Sequence, residues 1–445
     1  HRSDPERILV VLTDSAEALK RSPLPNVGDP IFVGCCQLVL FMRPHYMFSD
    51  GSTGWHLVTG FDVLKNHAIP RADIMSYTFP GKAWVAYEWL SDAIMAMIVS
   101  VGGINLLAVC VALAIASLIL ALYQRMRSEG CHFALAMLFT IVGLIASANH
   151  WLVRPHIFTF WGVYIFYTRL EDFVRGKLSL KWLLAWLLPT MLIWVNTHPA
   201  FLFAFAITGL YFVVTTGGAL WASVPEDKQR MKKQAVQLFA LLFGLLGVSF
   251  INPYGMELYH YIREYLHGTS ILSVTQEFKS PDFKESIHAI FLELLFFFTA
   301  LGLFLRGKVT ATAFAMCIAF GHLALSAVRN ISLFAFVSLP ALGALYGSLP
   351  PNNFFTKFKQ GSKEFNEQEK VSDFHILPIL YGVALMVMCF VGKGDAAMVK
   401  SGFDPAAQPT TTLTYIKDQK LPANKGFNLD NWGGIIRYQL DMPVY

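Results

Sequence analysis

Polar side chains that could take part in chemistry lie where the long apolar segments of this chain end. The stretch FSDGSTGWHLVTG (48–60) carries Asp50 and His56, although a turn alone would need neither. Glu88, Arg154 and Arg329 stand near the ends of other apolar segments. A carboxylate held close to an attacking hydroxyl or amide group can take its proton, and the planar guanidinium of arginine matches the oxygens of a phosphate. What these groups do together depends on the elements that hold them and on the side of a membrane that they face.

The composition indicates a membrane protein. Of the 445 residues, 55% are hydrophobic and 15% are charged, and the mean hydropathy of +0.47 is too high for a set of soluble domains. The 37 phenylalanines, 10 tryptophans and 16 tyrosines are typical of proteins that meet lipid and its interface. The net charge is only +5, with no concentrated basic patch, so nucleic acid is not an expected partner.

Because about twenty apolar residues cross a bilayer as a helix, the apolar segments predict an all-α, polytopic transmembrane helical bundle of about eleven spans. The second span is long enough to be bent or doubled around Gly102-Gly103. The first is the weakest, since Arg43 and Pro44 lie near its end. The predicted spans are about 31–48, 86–123, 131–149, 155–170, 179–195, 199–221, 234–251, 287–305, 309–328, 331–348 and 375–392.

Basic residues predict the orientation of these spans. With residues 1–30 placed in the cytoplasm, every inner loop carries at least two Lys or Arg residues, whereas the short outer loops have one or none. The predicted organisation is a cytoplasmic segment 1–30, a transmembrane domain 31–394 with long extracytoplasmic loops 49–85 and 252–286, and the start of an extracytoplasmic C-terminal segment, 395–445. The residues suited to chemistry then converge on the outer face.

A short amphipathic helix is predicted in the first outer loop. Its apolar positions have the spacing of one face of a helix and are Leu57, Val58, Phe61 and Leu64. We expect this helix to lie on the membrane and to be ended by Pro70. Together with Trp55, it would anchor the loop that carries Asp50.

The outer loops resemble, in order and over nearly the whole chain, those of bacterial membrane glycosyltransferases of the GT-C class. The first shared motif is an acidic residue followed by W-H and T-G, here Asp50, Trp55-His56 and Thr59-Gly60. The further motifs are Ile69-Pro70, Asp73-Ile74-Met75-Ser76-Tyr77-Thr78, Trp84, Glu88-Trp89-Leu90, Arg154-Pro155, Trp194-Val195-Asn196-Thr197-His198, Asn252-Pro253-Tyr254-Gly255, Ser280-Pro281-Asp282-Phe283, Arg329-Asn330 and Asn431-Trp432-Gly433-Gly434. One departure is Pro199, which stands where the family usually has glycine.

The resemblance implies an inverting glycosyltransferase that moves a sugar from a polyprenyl-phosphate lipid carrier to a glycan, lipid or protein acceptor. It places the enzyme among the lipids of the bacterial cytoplasmic (inner) membrane, with the active site on the extracytoplasmic face. Nucleotide sugars are not available there, so the donor must be lipid-linked. No organic cofactor is implied. The outer loops hold no D-x-D motif or cluster of His and Cys, so we expect arginines to stabilise the leaving phosphate without a metal, and a divalent metal ion is the alternative.

Asp50 is the candidate general base of this site, and its alternative role is to form a turn at a helix end. His56 could bind the donor phosphate or the acceptor, or could be a structural histidine beside Trp55. Glu88, together with Asp73, could supply a second carboxylate or a metal ligand, or could stabilise the fold.

The other candidates for substrate binding are Arg154, Asn196, His198, Glu277 and Arg329, with Asp282 close to Glu277. The two arginines are placed to contact phosphate, and the alternative is simple snorkelling at the ends of spans. The asparagine and the histidine could line a cavity or cap a span. The acidic pair lies in a long loop of the kind that closes over a substrate, where it could contact the acceptor.

Three other protein classes remain open on sequence grounds. An O-antigen ligase or polymerase uses similar lipid carriers, but its major outer loop should be late in the chain and rich in arginine. A non-catalytic membrane subunit could have kept the same fold. A secondary transporter should carry inverted repeats and charged groups in the middle of its spans, whereas mid-span charges are nearly absent here, with Glu293 as the main exception.

Overall fold

The computed structural model describes residues 26–42, 44–267, 275–350, 375–392, 396–422 and 424–445. Within these ranges the chain is helical, as predicted, and β structure is limited to isolated bridges. Most of the predicted cytoplasmic segment 1–30, Arg43 and most of the polar inner stretch 349–373 lie outside the described residues. The α-helices are α1 (Gly28–Gln37), α2 (Ser52–Asn66), α3 (Trp89–Ser128), α4 (Phe133–Ser147), α5 (His156–Val174), α6 (Leu180–Thr197), α7 (Leu202–Trp221), α8 (Pro225–Ser249), α9 (Met256–His267), α10 (Ile287–Phe304), α11 (Ala311–Ser326), α12 (Ile331–Gly347), α13 (Ile376–Met388), α14 (Thr410–Asp418) and α15 (Gly433–Leu440).

Each of the eleven predicted spans has a helical counterpart, from α1 at the first to α13 at the last. In the described part of the chain, seven helical segments are long and apolar enough to cross a membrane. They are Trp89–Ser128, Phe133–His150, Leu180–Thr197, Pro199–Trp221, Pro225–Ser249, Ile287–Phe304 and Val328–Gly347. Shorter apolar helices are Gly28–Met42, Ala311–Ser326 and Ile376–Met388. The chain is a multi-pass membrane protein.

Helix α3 is 40 residues long, whereas about twenty residues cross the hydrocarbon. It is interrupted at Gly102 and Gly103, and the φ angle of Gly103 is 70°, a conformation that glycine adopts without a Cβ clash. The predicted bend is confirmed. The first span is shorter than predicted, because α1 continues only as a π turn to Met42 and Tyr46–Phe48 form a separate 3₁₀ turn. Pro44, which has no backbone N–H, prevents a continuous helix.

Helix α12 forms the centre of the bundle. Every residue from Ile331 to Tyr346 is buried, and α3, α4, α5, α10 and α11 pack around it. A helix that is apolar on all sides is surrounded either by protein or by lipid, and α12 is surrounded by protein. The surrounding helices instead keep large apolar side chains on the outside of the bundle, including Trp182, Phe239 and Phe304, as expected of surfaces that face lipid.

The three segments predicted to be extracytoplasmic pack together at one end of the bundle. Helix α15 approaches α2 so closely that a Cβ atom on Gly54 would lie 2.2 Å from the carbonyl carbon of Gly434. The Tyr254 hydroxyl donates a hydrogen bond of 2.8 Å to the carbonyl of Pro70, which ties the loop 252–286 to the loop 49–85. These segments therefore share one face, and its extracytoplasmic location remains a prediction.

Helix α2 is the predicted amphipathic helix, with two differences. It is covered by α3 and α15, with Leu57 fully buried, instead of lying open on the membrane. It also ends at Asn66 and not at Pro70, because His67 takes a left-handed backbone conformation with a φ angle of 50°, which stops the helical hydrogen-bond pattern. The helix that follows Asp50 is thus fixed by protein contacts.

Buried ion pairs close the opposite end of the bundle. Nη2 of Arg125 lies 2.8 Å from Oδ1 of Asp172, and Arg175 lies 2.7 Å from carboxylate oxygens of both Glu129 and Glu171. Helix α5 therefore buries two acidic residues, Glu171 and Asp172, near its end. Because these charges compensate one another, they can be buried without isolated ions, and they hold α3 and α5 together.

Candidate functional site

Asp50 stands just before α2 and has two kinds of partner. Its Oδ1 accepts hydrogen bonds from the backbone N–H of Ser52, at 2.7 Å, and from the Ser52 hydroxyl. Its Oδ2 lies 3.3 Å from Nη1 of Arg154. Burial alone would raise the pKa of Asp50, but Arg154 and the bonds from Ser52 outweigh burial and lower the pKa. Asp50 is therefore ionised at neutral pH. It also forms the turn at the helix end that was its alternative role.

Arg154 lies between two carboxylates. Its Nη1 donates a hydrogen bond of 2.5 Å to Oε1 of Glu277, in addition to its contact with Asp50. On its other side, Glu277 faces Nη1 of Arg329 at 3.9 Å, and the guanidinium of Arg329 lies 4.7 Å from the centre of the Phe278 ring. Asp50, Arg154, Glu277 and Arg329 form what we call the ion-pair row, in which the starts of α2, α5 and α12 and the loop before α10 meet.

Glu88 directly precedes α3 and lies between two histidines. Its Oε2 is 3.8 Å from Nδ1 of His56, and its Oε1 is 3.6 Å from Nε2 of His198. Burial raises the pKa of Glu88 to about 7, against the lowering effect of His56 and Arg154. Burial also lowers the pKa of His198 well below its ordinary value, so this imidazole is neutral. The structure thus brings a carboxyl group that titrates near neutral pH next to the ion-pair row.

Asp92 is missing from the residues selected on sequence grounds, yet it holds His56. Its Oδ1 lies 2.8 Å from Nδ1 of His56. Burial lowers the pKa of His56, but Asp92 and Glu88 outweigh burial and raise it. The spacing of four residues between Glu88 and Asp92 places both carboxylates on one face of a helix, and this signal could have found Asp92. The contact between Thr159 Oγ1 and Nδ1 of His198, at 2.9 Å, has no comparable sequence signal.

Asn196 lies beside the site. Its Oδ1 accepts a hydrogen bond of 3.0 Å from the indole N–H of Trp89, and its Nδ2 donates bonds of 2.9 Å to the carbonyls of Leu192 and Ile251. Both ends of the amide are therefore engaged by the protein. These bonds position the end of α6 against the start of α3. They therefore also position Glu88, which precedes Trp89, and His198, which lies two residues after Asn196.

Two further acidic candidates shape loops. Asp73 accepts hydrogen bonds from the backbone N–H groups of Met75 and Ser76. Asp282 accepts one of 2.8 Å from the backbone N–H of Lys284. Both are Asx turns, in which a short carboxylate satisfies backbone donors two or three residues ahead. These contacts favour the fold-stabilising alternative for Asp73.

Two apolar cavities flank the ion-pair row. The first, the Arg154 cavity, encloses about 380 Å³ between α3, α5 and α6, with Arg154 at its polar end. The second, the Arg329 cavity, encloses about 370 Å³ between α7 and α9, with Arg329 and His198 at its polar end. Both volumes are typical of sites for small molecules. Apolar and aromatic lining residues include Ile98, Val111, Trp161 and Ile193 in the Arg154 cavity, and Tyr87, Phe203, Tyr261 and Phe278 in the Arg329 cavity.

The carboxylates of Asp50 and Glu277 would be the natural ligands of a divalent metal ion, but the guanidinium of Arg154 lies between them, at 3.3 Å and 2.5 Å. In the described parts of the chain, no group of three or more His, Cys, Asp and Glu residues could hold a metal ion. The side chains as arranged therefore do not fit a metal between these carboxylates. The preference for a metal-independent enzyme remains a prediction.

No family model matches the sequence, and no curated protein matches it either. Three solved structures of an archaeal oligosaccharyltransferase from Archaeoglobus fulgidus do match. The AglB complex with an inhibitory peptide and a dolichol-phosphate gives a TM-score of 0.58 at 13% identity, over 94% of this chain and 63% of that chain. The apo form gives 0.60 at 12% identity, over 94% and 64%. The complex with Zn and sulfate gives 0.56 at 14% identity, over 94% and 62%.

This chain therefore spans less than two thirds of the length of those proteins, while almost all of it takes part in the match. Identities of 12–14% concern the fold alone. The fold was also the expectation from the order of the outer-loop motifs. This membrane protein has the all-helical GT-C fold that is seen in the oligosaccharyltransferase of Archaeoglobus fulgidus.

Proposed function

We propose that this chain is a membrane glycosyltransferase that takes a sugar from a polyprenyl-phosphate carrier and transfers it, with inversion, to an acceptor on the extracytoplasmic face. One observation carries the proposal: Arg329 stands at the polar end of an apolar cavity and at one end of the ion-pair row. Among the described residues, the carboxylate within ion-pair distance of Arg329 is that of Glu277, at 3.9 Å. This distance is longer than a hydrogen bond, so the guanidinium keeps donors for a phosphate.

The lipid donor is assigned to the Arg329 cavity. Its hydrocarbon chain lies along the apolar wall, and its phosphate meets Arg329, whose fork of N–H groups matches phosphate oxygens. Tyr87 and Tyr261, with ring centres 5.3 Å apart, form part of this wall. The Archaeoglobus fulgidus enzyme was solved with a dolichol-phosphate, a lipid of the same chemical class as the carrier proposed here.

In the proposed reaction, an oxygen or nitrogen of the acceptor attacks the anomeric carbon of the sugar. The bond from this carbon to the phosphate oxygen breaks, the oxygen keeps the electron pair, and Arg329 stabilises the resulting charge. The proton of the acceptor passes to Asp50, which Arg154 keeps ionised and oriented. Because the nucleophile arrives opposite the leaving phosphate, the configuration at the anomeric carbon is inverted.

The remaining polar groups position the substrates. The Glu88 carboxylate lies within 4 Å of both His56 and His198, and these three side chains are proposed to hydrogen-bond the hydroxyls of the sugar. Arg154 supplies between Asp50 and Glu277 the positive charge that a divalent ion supplies in metal-dependent enzymes. Asn196 is proposed to act through the backbone that it holds. The bacterial cytoplasmic membrane, taken from the motif resemblance, is the proposed location.

Binding of a polyprenyl phosphate to the purified full chain tests this assignment. A charge-assisted hydrogen bond contributes about 1.5–3 kcal/mol, so Arg329→Gln should weaken binding about tenfold to a hundredfold. Arg329→Lys should fall between the wild type and Arg329→Gln, since lysine keeps the charge and loses the fork. Arg71→Gln is the matched control, because the Arg71 side chain is 61% exposed and lies outside both cavities.

Equal affinity of the wild type and Arg329→Gln would exclude the assigned phosphate site. Failure of the wild type to bind any polyprenyl phosphate would overturn the proposed donor class. Transfer of a radiolabelled sugar from the carrier to an acceptor fraction is the second measurement. A chain that binds the carrier and never transfers would be the non-catalytic subunit.

A further inference from the structure

We infer that the acceptor is a lipid, whose apolar chain lies in the Arg154 cavity and whose head group presents an uncharged hydroxyl to Asp50. The inference rests on the proposed function and adds the class of its acceptor. A lipid acceptor would also distinguish this chain from the Archaeoglobus fulgidus enzyme, whose complex holds an inhibitory peptide.

The position of the Arg154 cavity within the bundle is the first argument. Its walls come from α3, α5 and α6, and both α3 and α6 are long and apolar enough to cross a membrane. Ile193 lines the cavity and is also 49% exposed, so the cavity reaches the outer, lipid-facing surface of the bundle. Along α5 the lining runs from Ile157 to Ile165, which is about 12 Å of helix. This is close to the depth of one leaflet of hydrocarbon, about 15 Å.

The charges at the polar end of the cavity are the second argument. Arg154 already has Asp50 at 3.3 Å and Glu277 at 2.5 Å, so these three groups together carry one net negative charge when ionised. A lipid phosphate placed there would be repelled, whereas an uncharged hydroxyl could donate to Oδ2 of Asp50, which Arg154 contacts only at 3.3 Å. Because Arg329 has the weaker ion pair, the two cavities separate a phosphate-bearing donor from an acceptor without phosphate at its reacting end.

The apolar walls of the Arg154 cavity are the third argument. A peptide or a soluble glycan in this space would leave polar groups without hydrogen-bond partners, which is unfavourable. A lipid chain instead exchanges hydrocarbon surroundings for similar ones. The cavity then contributes orientation more than affinity, since it brings the head group of a membrane-borne molecule to Asp50 in one geometry. The Arg154 cavity would not orient a water-soluble acceptor in this way.

Photo-crosslinking with a neutral single-chain amphiphile tests the inference. The probe is an alkyl glucoside with a diazirine in its chain, added to the purified full chain, and the labelled peptides are identified by mass spectrometry. We expect labelling of α3, α5 and α6 that falls at least about tenfold in Ile98→Trp, where the indole fills the cavity. Met97→Trp is the matched control, because Met97 is the preceding residue of α3, is 54% exposed and lies outside the cavity.

A second matched pair covers the case in which Ile98→Trp does not fold. Ile193→Trp fills the cavity from α6, whereas Leu192→Trp places the same side chain on a position that is 38% exposed and outside the lining. Equal labelling within both pairs would overturn the inference. If excess phosphatidylcholine abolished labelling by the probe, the cavity would be a site for bulk lipid. If polyprenyl phosphate abolished it, the cavity would be the donor site. Either result would also overturn the inference. Loss of polyprenyl-phosphate binding in Arg329→Gln is measured separately, so failure of the donor assignment is distinguishable.

Discussion

Replacing Glu88 by glutamine should change how the stability of the protein depends on pH. The Glu88 side chain is 14% exposed, and burial raises its pKa from 4.5 to about 7. A carboxyl group whose pKa is raised on folding contributes most to stability below its unfolded pKa, and this contribution is lost as the pH rises through the folded pKa. The loss therefore falls between about pH 4.5 and about pH 7 and amounts to about 3 kcal/mol at most. Glutamine is uncharged over this whole pH range, so Glu88→Gln should remove this pH-dependent loss of stability.

The assay is thermal unfolding of the detergent-solubilised full chain, followed by tryptophan fluorescence at about pH 5 and about pH 8. Wild type and Glu88→Gln should differ little at the lower pH, and Glu88→Gln should be the more stable at the higher pH, by a few degrees in Tm. Glu257→Gln makes the same chemical change at a side chain that is 57% exposed, and it should behave like the wild type. An identical pH dependence of Glu88→Gln and wild type would refute the reasoning, since Glu88 would then be ionised at both pH values.

Four further results are expected. Asp50→Asn should lower turnover at least about a hundredfold while folding and donor binding persist, because Arg154 keeps Glu277 at 2.5 Å; near-normal turnover would exclude Asp50 as the base. Transfer should survive EDTA, and activity lost to EDTA and restored by Mg²⁺ or Mn²⁺ would contradict a metal-independent mechanism. In a cysteine-free background, Lys279→Cys should react with an impermeant thiol reagent in intact cells, and reaction only after the inner face is opened would invert the orientation. Gly54→Val should destabilise by more than about 2 kcal/mol in thermal unfolding, because of the 2.2 Å approach to α15, whereas Gly34→Ala, with open space around it, should not.

The membrane class, the eleven apolar segments and the bend of α3 were readable in the sequence. They depend on local composition, because a chain in hydrocarbon must satisfy its backbone within each helix and cover it with apolar side chains. The bend at Gly102-Gly103 follows from the backbone freedom of glycine in the same local way. The shortened first span and the early end of α2 differ from prediction because single residues, Pro44 and His67, stop a helix inside an otherwise suitable pattern.

The candidate residues of the site were also readable, since polar side chains at the ends of apolar segments are few. Their partners were not. Arg154 and Glu277 are 123 residues apart in the chain, and only the packing of α5 against the loop before α10 brings them into contact. The spacing of Asp92 from Glu88 is visible in the sequence, but the histidine that Asp92 holds, His56 at 2.8 Å, is set by the packing of α2 against α3.

The sequence by itself thus determined the kind of protein, the positions of the apolar helical segments and the side chains available for chemistry. Tertiary structure alone decided which charges neutralise each other, which carboxyl group has its pKa raised to about 7, and where the two cavities lie. The physical reason is that helix formation and burial in lipid depend on neighbours in the chain, whereas Coulomb interactions, desolvation and cavities depend on distances between segments that only the folded bundle sets.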